Sequence, residues 1–209
     1  MSAGRTNTNQ FSTDWCTPPK YVKVVSLFFD NQIDLDPCSN EFSIIKAKTS
    51  YSLPEKDGLQ ESWNYKNIFV NPPYGADRVR GTTIRDWIRK CQNANEEFGS
   101  EVLALVPVAT NTRHWKDYIF GKAAGICFLY DTRLRFSICG HLDEKGAPMS
   151  CAMIYWGSNI KRFIEIFSEY GAALDITGSI NMKFGKRELM IQPSFQGFDQ
   201  HKNILTNIL

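Results

Sequence analysis

The chain has 209 residues, of which 43% are hydrophobic and 22% are charged, and its formal net charge is +2. These values are typical of one globular α/β domain with a substantial core. No apolar run is long enough to span a membrane, and no charged-then-apolar leader opens the chain, so we expect no membrane partner. Because the net charge is small, a nucleic-acid-binding protein of this size must concentrate its positive charge locally.

The first predicted helix follows a polar segment. Residues 1–12 are rich in Ser, Thr and Asn, so we predict a flexible tail before a domain at residues 13–171. Thr17 and Pro18 predict the start of the helix, because Thr is a good N-cap and Pro suits the first helical position. Apolar residues at helical spacing over residues 21–29 indicate that one face packs on a sheet.

Short strands and turns follow this helix. Residues 33–36 predict a strand that ends at Pro37, and residues 44–53 contain a second strand. The sequence Asp57-Gly58-Leu59 predicts a turn. Residues 67–70 are apolar and predict a third strand, buried in the sheet.

The motif Asn71-Pro72-Pro73-Tyr74 directly follows the third strand. Its prolines fix φ and lack backbone donors, so a rigid turn replaces the strand at the carboxyl end, where open α/β sheets bind ligands. The Asn71 amide oxygen and the Pro72 carbonyl are acceptors, and Tyr74 offers a ring. These groups suit a planar group with two N–H donors, such as an amino-bearing base or a side-chain amide. A plain proline turn is the structural alternative.

The second half of the chain continues the alternation of strands and helices, which predicts a mostly parallel α/β sheet with helices on both faces. Residues 133–138 and 150–156 predict the two arms of an antiparallel hairpin at the sheet edge. The other predicted elements are a loop at 76–81, helices at about 82–98, 112–120 and 160–170, strands at 102–106 and 125–130, and an extension of uncertain structure at 172–209.

Three predicted loops should meet where these parallel strands end. They carry Asp36, Asp57 and Asn71. A carboxylate after the first strand suits a cationic or amino-bearing cofactor, and a second can accept from a ribose hydroxyl or an adenine amino group. We therefore predict a nucleotide cofactor, although either aspartate alone is also explained as a turn or cap residue. No G-x-x-x-x-G-K-[ST] loop is present and no G-x-G-x-x-G follows the first strand, which argues against ATP hydrolysis and a standard dinucleotide fold.

The six cysteines include no C-x-x-C pair and lie largely in apolar segments, so we predict reduced thiols that serve as small hydrophobic residues. The alternative is a zinc site at Cys139, His141 and Cys151. Their spacing matches no common ligand pattern, so no metal is expected.

Several short motifs, in their order and spacing over residues 14–157, resemble the phage-type DNA N6-adenine methyltransferases. Each motif alone is weak, and the resemblance depends on the whole series. The motifs are Asp14-Trp15-x-Thr17-Pro18, Leu35-Asp36-Pro37-Cys38, Ala47-Lys48, Asp57-Gly58-Leu59 with Trp63, Phe69-Val70-Asn71-Pro72-Pro73-Tyr74-Gly75, Trp87, Leu105-Val106-Pro107 and Leu134-Arg135-Phe136.

This resemblance implies a doubly wound, Rossmann-like class I methyltransferase fold. It also implies an enzyme that transfers a methyl group from S-adenosyl-L-methionine to the N6 amino group of adenine in DNA. It also implies a cytoplasmic enzyme of a bacterial or phage-infected cell. Two segments depart from the family pattern: residues 77–83, which form a long loop, and the chain beyond residue 170. The implied cofactor-binding residues are Thr17, Asp36, Pro37, Cys38 and Asp57, and the implied catalytic residues are Asn71, Pro72, Pro73 and Tyr74.

Basic residues near the catalytic motif are the predicted DNA contacts. Arg78 and Arg80 lie in the loop after the motif, and Arg113 follows the next strand at the same end of the sheet. An adenine inside a duplex must be flipped out before it can react, and arginines beside it can bind phosphates. The alternative contacts are Arg133 and Arg135, or the basic tail at Lys183, Lys186 and Arg187.

Three other functions fit parts of the same pattern. The first is a methyltransferase for another planar amine, in an RNA base or a protein glutamine. The second is a non-catalytic nucleic-acid-binding relic of the fold, which would bind cofactor without transferring methyl. The third is an unrelated α/β enzyme with a chance motif, which would not bind the cofactor.

Overall fold

The protein is described here by a computed structural model that covers residues 15–131, 133–138, 141–142 and 149–178. The predictions for the N-terminal tail and for the basic tail lie outside these residues. The elements in chain order are β1 (Trp15–Cys16), α1 (Pro19–Phe28), β2 (Ile33–Asp36), β3 (Ala47–Ser50), β4 (Asn67–Val70), β5 (Ala76–Asp77), β6 (Thr82–Thr83), α2 (Ile84–Phe98), β7 (Glu101–Pro107), α3 (Arg113–Tyr118), β8 (Gly125–Leu129), β9 (Ser137–Ile138), β10 (His141–Leu142), β11 (Cys151–Trp156), α4 (Ile160–Phe167) and β12 (Gly171–Asp175).

A central sheet of seven strands has the order β12-β8-β11-β7-β4-β2-β3. Strands β3, β2, β4 and β7 are parallel neighbours. Strand β11 runs antiparallel between β7 and β8, so β8 points the same way as β7, and β12 is antiparallel to β8 at one edge. Five strands therefore share one direction, which confirms the predicted mixed α/β fold with a mostly parallel sheet.

Each face of the central sheet is covered by its own hydrophobic core. On one face, Phe69 of β4 packs in a cluster with Phe28 of α1 and Phe163 of α4. On the other, Val70 of β4 packs in a cluster with Trp87 of α2. Because strand side chains alternate between faces, the apolar sequence of β4 suits burial on both sides. This packing fixes the end of β4, and so the position at which the turn beginning at Asn71 leaves the sheet.

The predicted hairpin of residues 133–138 and 150–156 is wrong. Strand β9 pairs with β1 and β10 in a separate three-stranded sheet. Strand β11 lies inside the central sheet, and every one of its residues is buried, as an interior strand requires. The antiparallel edge strand is instead β12, in the segment whose structure the sequence left uncertain. The domain boundary at residue 171 remains a prediction, although the central sheet continues to Asp175.

The ends of two helices show how local sequence acts. Helix α1 begins at Pro19, one residue later than predicted, and Thr17 makes no cap. Helix α2 begins with a capping box between Thr83 and Asp86 and ends at Gly99 in the left-handed conformation. Before α2, the predicted loop after the catalytic motif contains the short β5–β6 hairpin, whose turn places Gly81 at φ 66°. The other predicted helices and strands are confirmed, with ends that differ by a few residues.

Candidate active site

Two of the predicted loops are in direct contact at the carboxyl ends of the strands. A Cβ atom on Gly58 would lie 1.8 Å from the Pro37 carbonyl oxygen, so only glycine allows this approach. The Gly58 carbonyl also accepts a hydrogen bond of 2.8 Å from Trp63 Nε1. The turn after β2 and the Asp57-Gly58-Leu59 turn therefore form one rigid unit. Sequence analysis assigned Gly58 no role, although its position inside that turn could have indicated one.

A cavity of about 270 Å³ opens above this unit. Three of the five predicted cofactor-binding residues, Pro37, Cys38 and Asp57, line it, whereas Thr17 and Asp36 do not. Both of the latter are buried, with 4% of their surface exposed. Further lining residues include Ser39, Tyr51, Leu53, Lys56, Gly58, Pro73, Arg80 and Trp87.

Asp36 holds the turn from beneath the cavity. Its carboxylate accepts from the Cys38 backbone amide and from Ser43 Oγ, both at 3.3 Å. Burial raises the pKa of Asp36 to about 6, against the lowering effect of these hydrogen bonds. The carboxylate is thus ionised at neutral pH, and its charge lies close behind the cavity wall.

Asp57 is paired with a residue that sequence analysis assigned to DNA. Arg80 Nη1 lies 2.9 Å from Asp57 Oδ1, and Arg80 Nε lies 2.7 Å from Asp77 Oδ2. Asp57 Oδ1 also accepts from the Leu59 amide at 2.9 Å. No described group donates to Asp57 Oδ2. Arg80 therefore ties the β5–β6 hairpin to the cavity wall and fixes one oxygen of Asp57, while the other remains available.

Asn71 is oriented by a contact that the sequence did not reveal. Its Nδ2 donates to the backbone carbonyl of Trp15 at 3.1 Å. Since only the amino end of an amide can donate to a carbonyl, this bond fixes the direction in which Asn71 Oδ1 points. Within the described part of the chain, no donor contacts Asn71 Oδ1 or the Pro72 carbonyl. These two adjacent acceptors in the Asn71–Tyr74 turn therefore have no donor within the described residues.

The Asn71–Tyr74 turn also lies next to the turn that follows β2. The Asn71 backbone amide is near enough to the Cys38 sulfur to favour a lower pKa of that thiol. Burial raises the pKa of Cys38 well above its usual range, so the side chain stays a neutral thiol. Because β2 and β4 are neighbours in the sheet, Cys38 and Asn71 follow adjacent strand ends. The cavity and the two open acceptors are thus parts of one site.

Three aromatic rings form a cluster beside Asn71. Trp15 stacks on Phe136 with ring centroids 5.2 Å apart, and both contact the Tyr74 ring edge-on, at 6.4 and 5.8 Å. The Tyr74 hydroxyl donates to the Leu105 carbonyl at 3.2 Å. Burial raises the pKa of Tyr74 well above its usual value, so the hydroxyl stays protonated. Sequence analysis assigned no role to Trp15 or Phe136, although both stand in the motifs of the resemblance.

The model of one protein family, described as DNA N-6-adenine-methyltransferase (Dam), matches residues 5–178. The chain belongs to this family. The matched range contains the catalytic turn, the cavity and the aromatic cluster, and it confirms the resemblance seen in the sequence. No curated protein and no solved structure matches the chain.

In a DNA methyltransferase family the basic residues around this site are of direct interest, and the three predicted DNA contacts differ in their surroundings. Arg78 is exposed at the tip of the β5–β6 hairpin, and no described side chain pairs with it. Arg113 is exposed, and its Nε lies 3.3 Å from Asp117. Arg80 has two carboxylate partners and is only 21% exposed. The structure thus leaves Arg78 as the one of the three without an internal ion pair.

Two further comparisons with the predictions concern the described residues alone. Within them, no group of three or more His, Cys, Asp or Glu side chains could hold a metal ion. The alternative zinc site includes Cys139, which lies outside them. No helix among them is both long and apolar enough to cross a membrane.

Proposed function

We propose that this protein transfers a methyl group from S-adenosyl-L-methionine to the N6 atom of adenine in DNA, as a cytoplasmic enzyme on a doubly wound class I methyltransferase sheet. The observation that supports this most strongly is the geometry of Asn71. Its amide nitrogen is held by Trp15, so its oxygen and the neighbouring Pro72 carbonyl form a pair of open acceptors. An exocyclic amine has the two N–H donors that such a pair requires.

The reaction needs help because the N6 lone pair is delocalised into the adenine ring. Asn71 Oδ1 and the Pro72 carbonyl each accept one N6–H and hold both hydrogens out of the ring plane. The nitrogen gains sp³ character, and its lone pair points at the methyl carbon. Positioning and electrostatics carry the rate. The N–C bond would form with that lone pair while the sulfonium S–CH₃ bond breaks and its electron pair stays on sulfur. The methylated N6 would then release a proton to water, so no side-chain base is required.

The residues around the cavity fit S-adenosylmethionine, which supplies an electrophilic methyl on a sulfonium centre when bound. Asp57 Oδ2 is an unused acceptor for a ribose hydroxyl or an adenine amino group. Leu53, Pro73 and Trp87 offer apolar surface for a base. The ionised Asp36 favours a cationic ligand from behind the wall. Of the remaining predicted residues, Pro37 and Cys38 shape the wall, whereas Thr17 is buried and does not line the cavity.

The target base must leave the duplex to reach Asn71, at a cost of a few kcal/mol. In our proposal Tyr74 stacks on the flipped adenine. Pro73, beside it, lines the cofactor cavity, which places the two substrates on either side of the catalytic turn. Arg78 contacts a neighbouring phosphate, and its lack of an internal partner favours it over Arg80 and Arg113 for this role.

The test is methyl transfer from radiolabelled S-adenosylmethionine to DNA, RNA and protein, with Asn71→Ala as the matched inactive variant. We expect label in DNA only, on N6-methyladenine, and none with the variant. Label in RNA or protein would show that the acceptor is a planar amine other than adenine N6 in DNA. Cofactor binding without transfer to any substrate would indicate a non-catalytic relic. Methylation-sensitive sequencing of DNA from expressing cells would then report the target sequence.

A further inference from the structure

We propose that Arg133 and Arg135 form a DNA-backbone contact that holds phosphates next to the flipped adenine. This inference rests on the proposed function, because it concerns how the same site holds its substrate. It identifies a second anchoring surface, separate from Arg78 in the chain. The surface is the short segment from Arg133 to Phe136, just before β9.

The residues of this segment alternate between core and solvent. Leu134 and Phe136 are 2% and 1% exposed, whereas Arg133 and Arg135 are exposed. Side chains at positions i and i+2 of an extended segment lie on the same side. The two buried residues therefore anchor the segment in the core, and the alternation leaves both arginine side chains exposed to solvent.

The segment is attached to the catalytic turn by two kinds of contact. The Phe136 ring packs on Trp15 and Tyr74. The next residue, Ser137, pairs with Cys16 in the small sheet, beside Trp15, whose carbonyl orients Asn71. Two charges on this segment are therefore held at a defined position relative to Asn71.

Like Arg78, and unlike Arg80 and Arg113, these two arginines have no ion pair with any of the described residues. No carboxylate among the described residues lies within ion-pair distance of either one. Arg80 and Arg113 each bind an aspartate. The nearest carboxylate along the chain, Asp131, is already engaged by Lys20 at 3.0 Å and by the Tyr21 hydroxyl. An unpaired, exposed guanidinium can bind a phosphate bidentately without breaking an existing pair.

The partner that fits is a regular polyanion. Two arginines on one side of an extended segment suit successive phosphates of a nucleic-acid strand, which carry no sequence information. Each phosphate contact releases condensed counterions, so it contributes about 0.9 to the slope of log affinity against log salt on duplex DNA. The proposal therefore predicts a salt dependence, not a change in sequence preference.

The experiment measures DNA affinity as a function of salt for the wild type and for Arg133→Ala/Arg135→Ala. We expect the slope to become shallower by about 1.8. Between 50 and 200 mM salt, the variant should therefore lose about tenfold less affinity for DNA than the wild type loses. S-adenosylmethionine affinity and melting temperature should not change, because both side chains are exposed. The variant Arg133→Lys/Arg135→Lys keeps the charges and should keep most of the slope.

A matched control removes two exposed charges at the amino ends of the parallel strands, on the side of the sheet opposite the site. Neither has a carboxylate partner among the described residues. Lys66 directly precedes β4. Lys161 lies in the first turn of α4, which follows β11. Because β11 is antiparallel to β7, it ends beside the amino end of β7, so Lys161 is also on that side. Lys66→Ala/Lys161→Ala should leave the slope nearly unchanged. An equal slope change in this control, or no change in the arginine variant, would overturn the proposal.

The outcomes also separate this proposal from the proposed function. If the wild type binds DNA with the expected salt dependence but transfers no methyl, the enzymatic assignment fails and the backbone contact stands. If methyl transfer to DNA occurs and the arginine variant keeps the full slope, the enzymatic assignment stands and the backbone contact fails. A wild type that binds no DNA would overturn both.

Discussion

Charged side chains are organised differently on the two sides of Asn71. On the cofactor side, Arg80 binds both Asp57 and Asp77, and these pairs fix loops against each other. On the other side, Arg133 and Arg135 are exposed and have no carboxylate partner in the described structure. Charges that shape a pocket must be held in place, whereas charges that meet a phosphate backbone must be left available. Arg78 and Arg80 are two residues apart and differ in this respect. Arg80 is held by two carboxylates, whereas Arg78 has no partner in the described structure.

The largest effect is expected at the residue between the two sides. Asn71→Ala should abolish methyl transfer and leave S-adenosylmethionine binding nearly intact, because the lost acceptor acts on the target base. Asn71→Asp should retain some activity, since a carboxylate also accepts an N6–H. Single-turnover assays and calorimetry measure the two properties. Transfer at the wild-type rate by Asn71→Ala would show that the proposed chemistry is wrong.

The next effect concerns the carboxylates of the cofactor side. Alanine at Asp57 should weaken S-adenosylmethionine binding by about 1–3 kcal/mol, the usual loss for a hydrogen bond to a charged group. Alanine at Asp36 should also weaken it, because it removes the carboxylate that holds the turn beneath the cavity. DNA affinity and its salt slope should stay at wild-type values. Titration calorimetry that finds unchanged cofactor affinity in both variants would show that neither carboxylate contributes to cofactor binding.

Asp36 should also give the protein a specific pH dependence. Its pKa is about 6 in the folded protein and 3.8 in the reference state. The folded state therefore holds more protons between these values, so this group lowers the free energy of unfolding as pH rises from about 4 to 6, by up to about 3 kcal/mol. Denaturant melts of the wild type and Asp36→Asn at several pH values isolate the effect. Parallel stability curves would contradict it.

A smaller effect is expected at Arg80. Arg80→Ala should weaken S-adenosylmethionine binding by about 1 kcal/mol or less, because a partly exposed ion pair that positions Asp57 is lost. The DNA salt slope should not change, since Arg80 is already paired. Calorimetry and salt titrations of the same variant test both statements. A shallower slope with normal cofactor affinity would show that Arg80 contacts DNA and does not position Asp57 for the cofactor.

The smallest effect is expected at Arg78. Arg78→Ala should reduce the salt slope of DNA binding by about 0.9, one phosphate contact, with no change in cofactor affinity. The matched control is Arg113→Ala, which removes an exposed arginine that Asp117 already binds. If both variants change the slope equally, an internal ion pair does not decide which arginines meet DNA.

The sequence by itself determined most of the local elements and the family of the chain. Apolar runs ended by Pro37 and by the Asn71–Tyr74 motif placed strands and turns correctly, because burial and proline geometry act over a few residues. The predicted bounds of α2, at about 82–98, lie within two residues of the observed ones for the same reason. The order of short motifs also identified the family, and Asn71 with Pro72 indicated a planar amine, since the acceptors adjoin in the chain.

Only the tertiary structure decided which distant residues meet. The interior position of β11, the bond from Asn71 to Trp15 and the pairing of Arg80 with Asp57 each join parts of the chain that lie far apart. Hydrophobic periodicity reports whether a segment is buried, but it does not say which strand lies beside it or which carboxylate an arginine reaches. Those choices depend on the packing of the whole sheet, where a residue's surroundings are set by its neighbours in space.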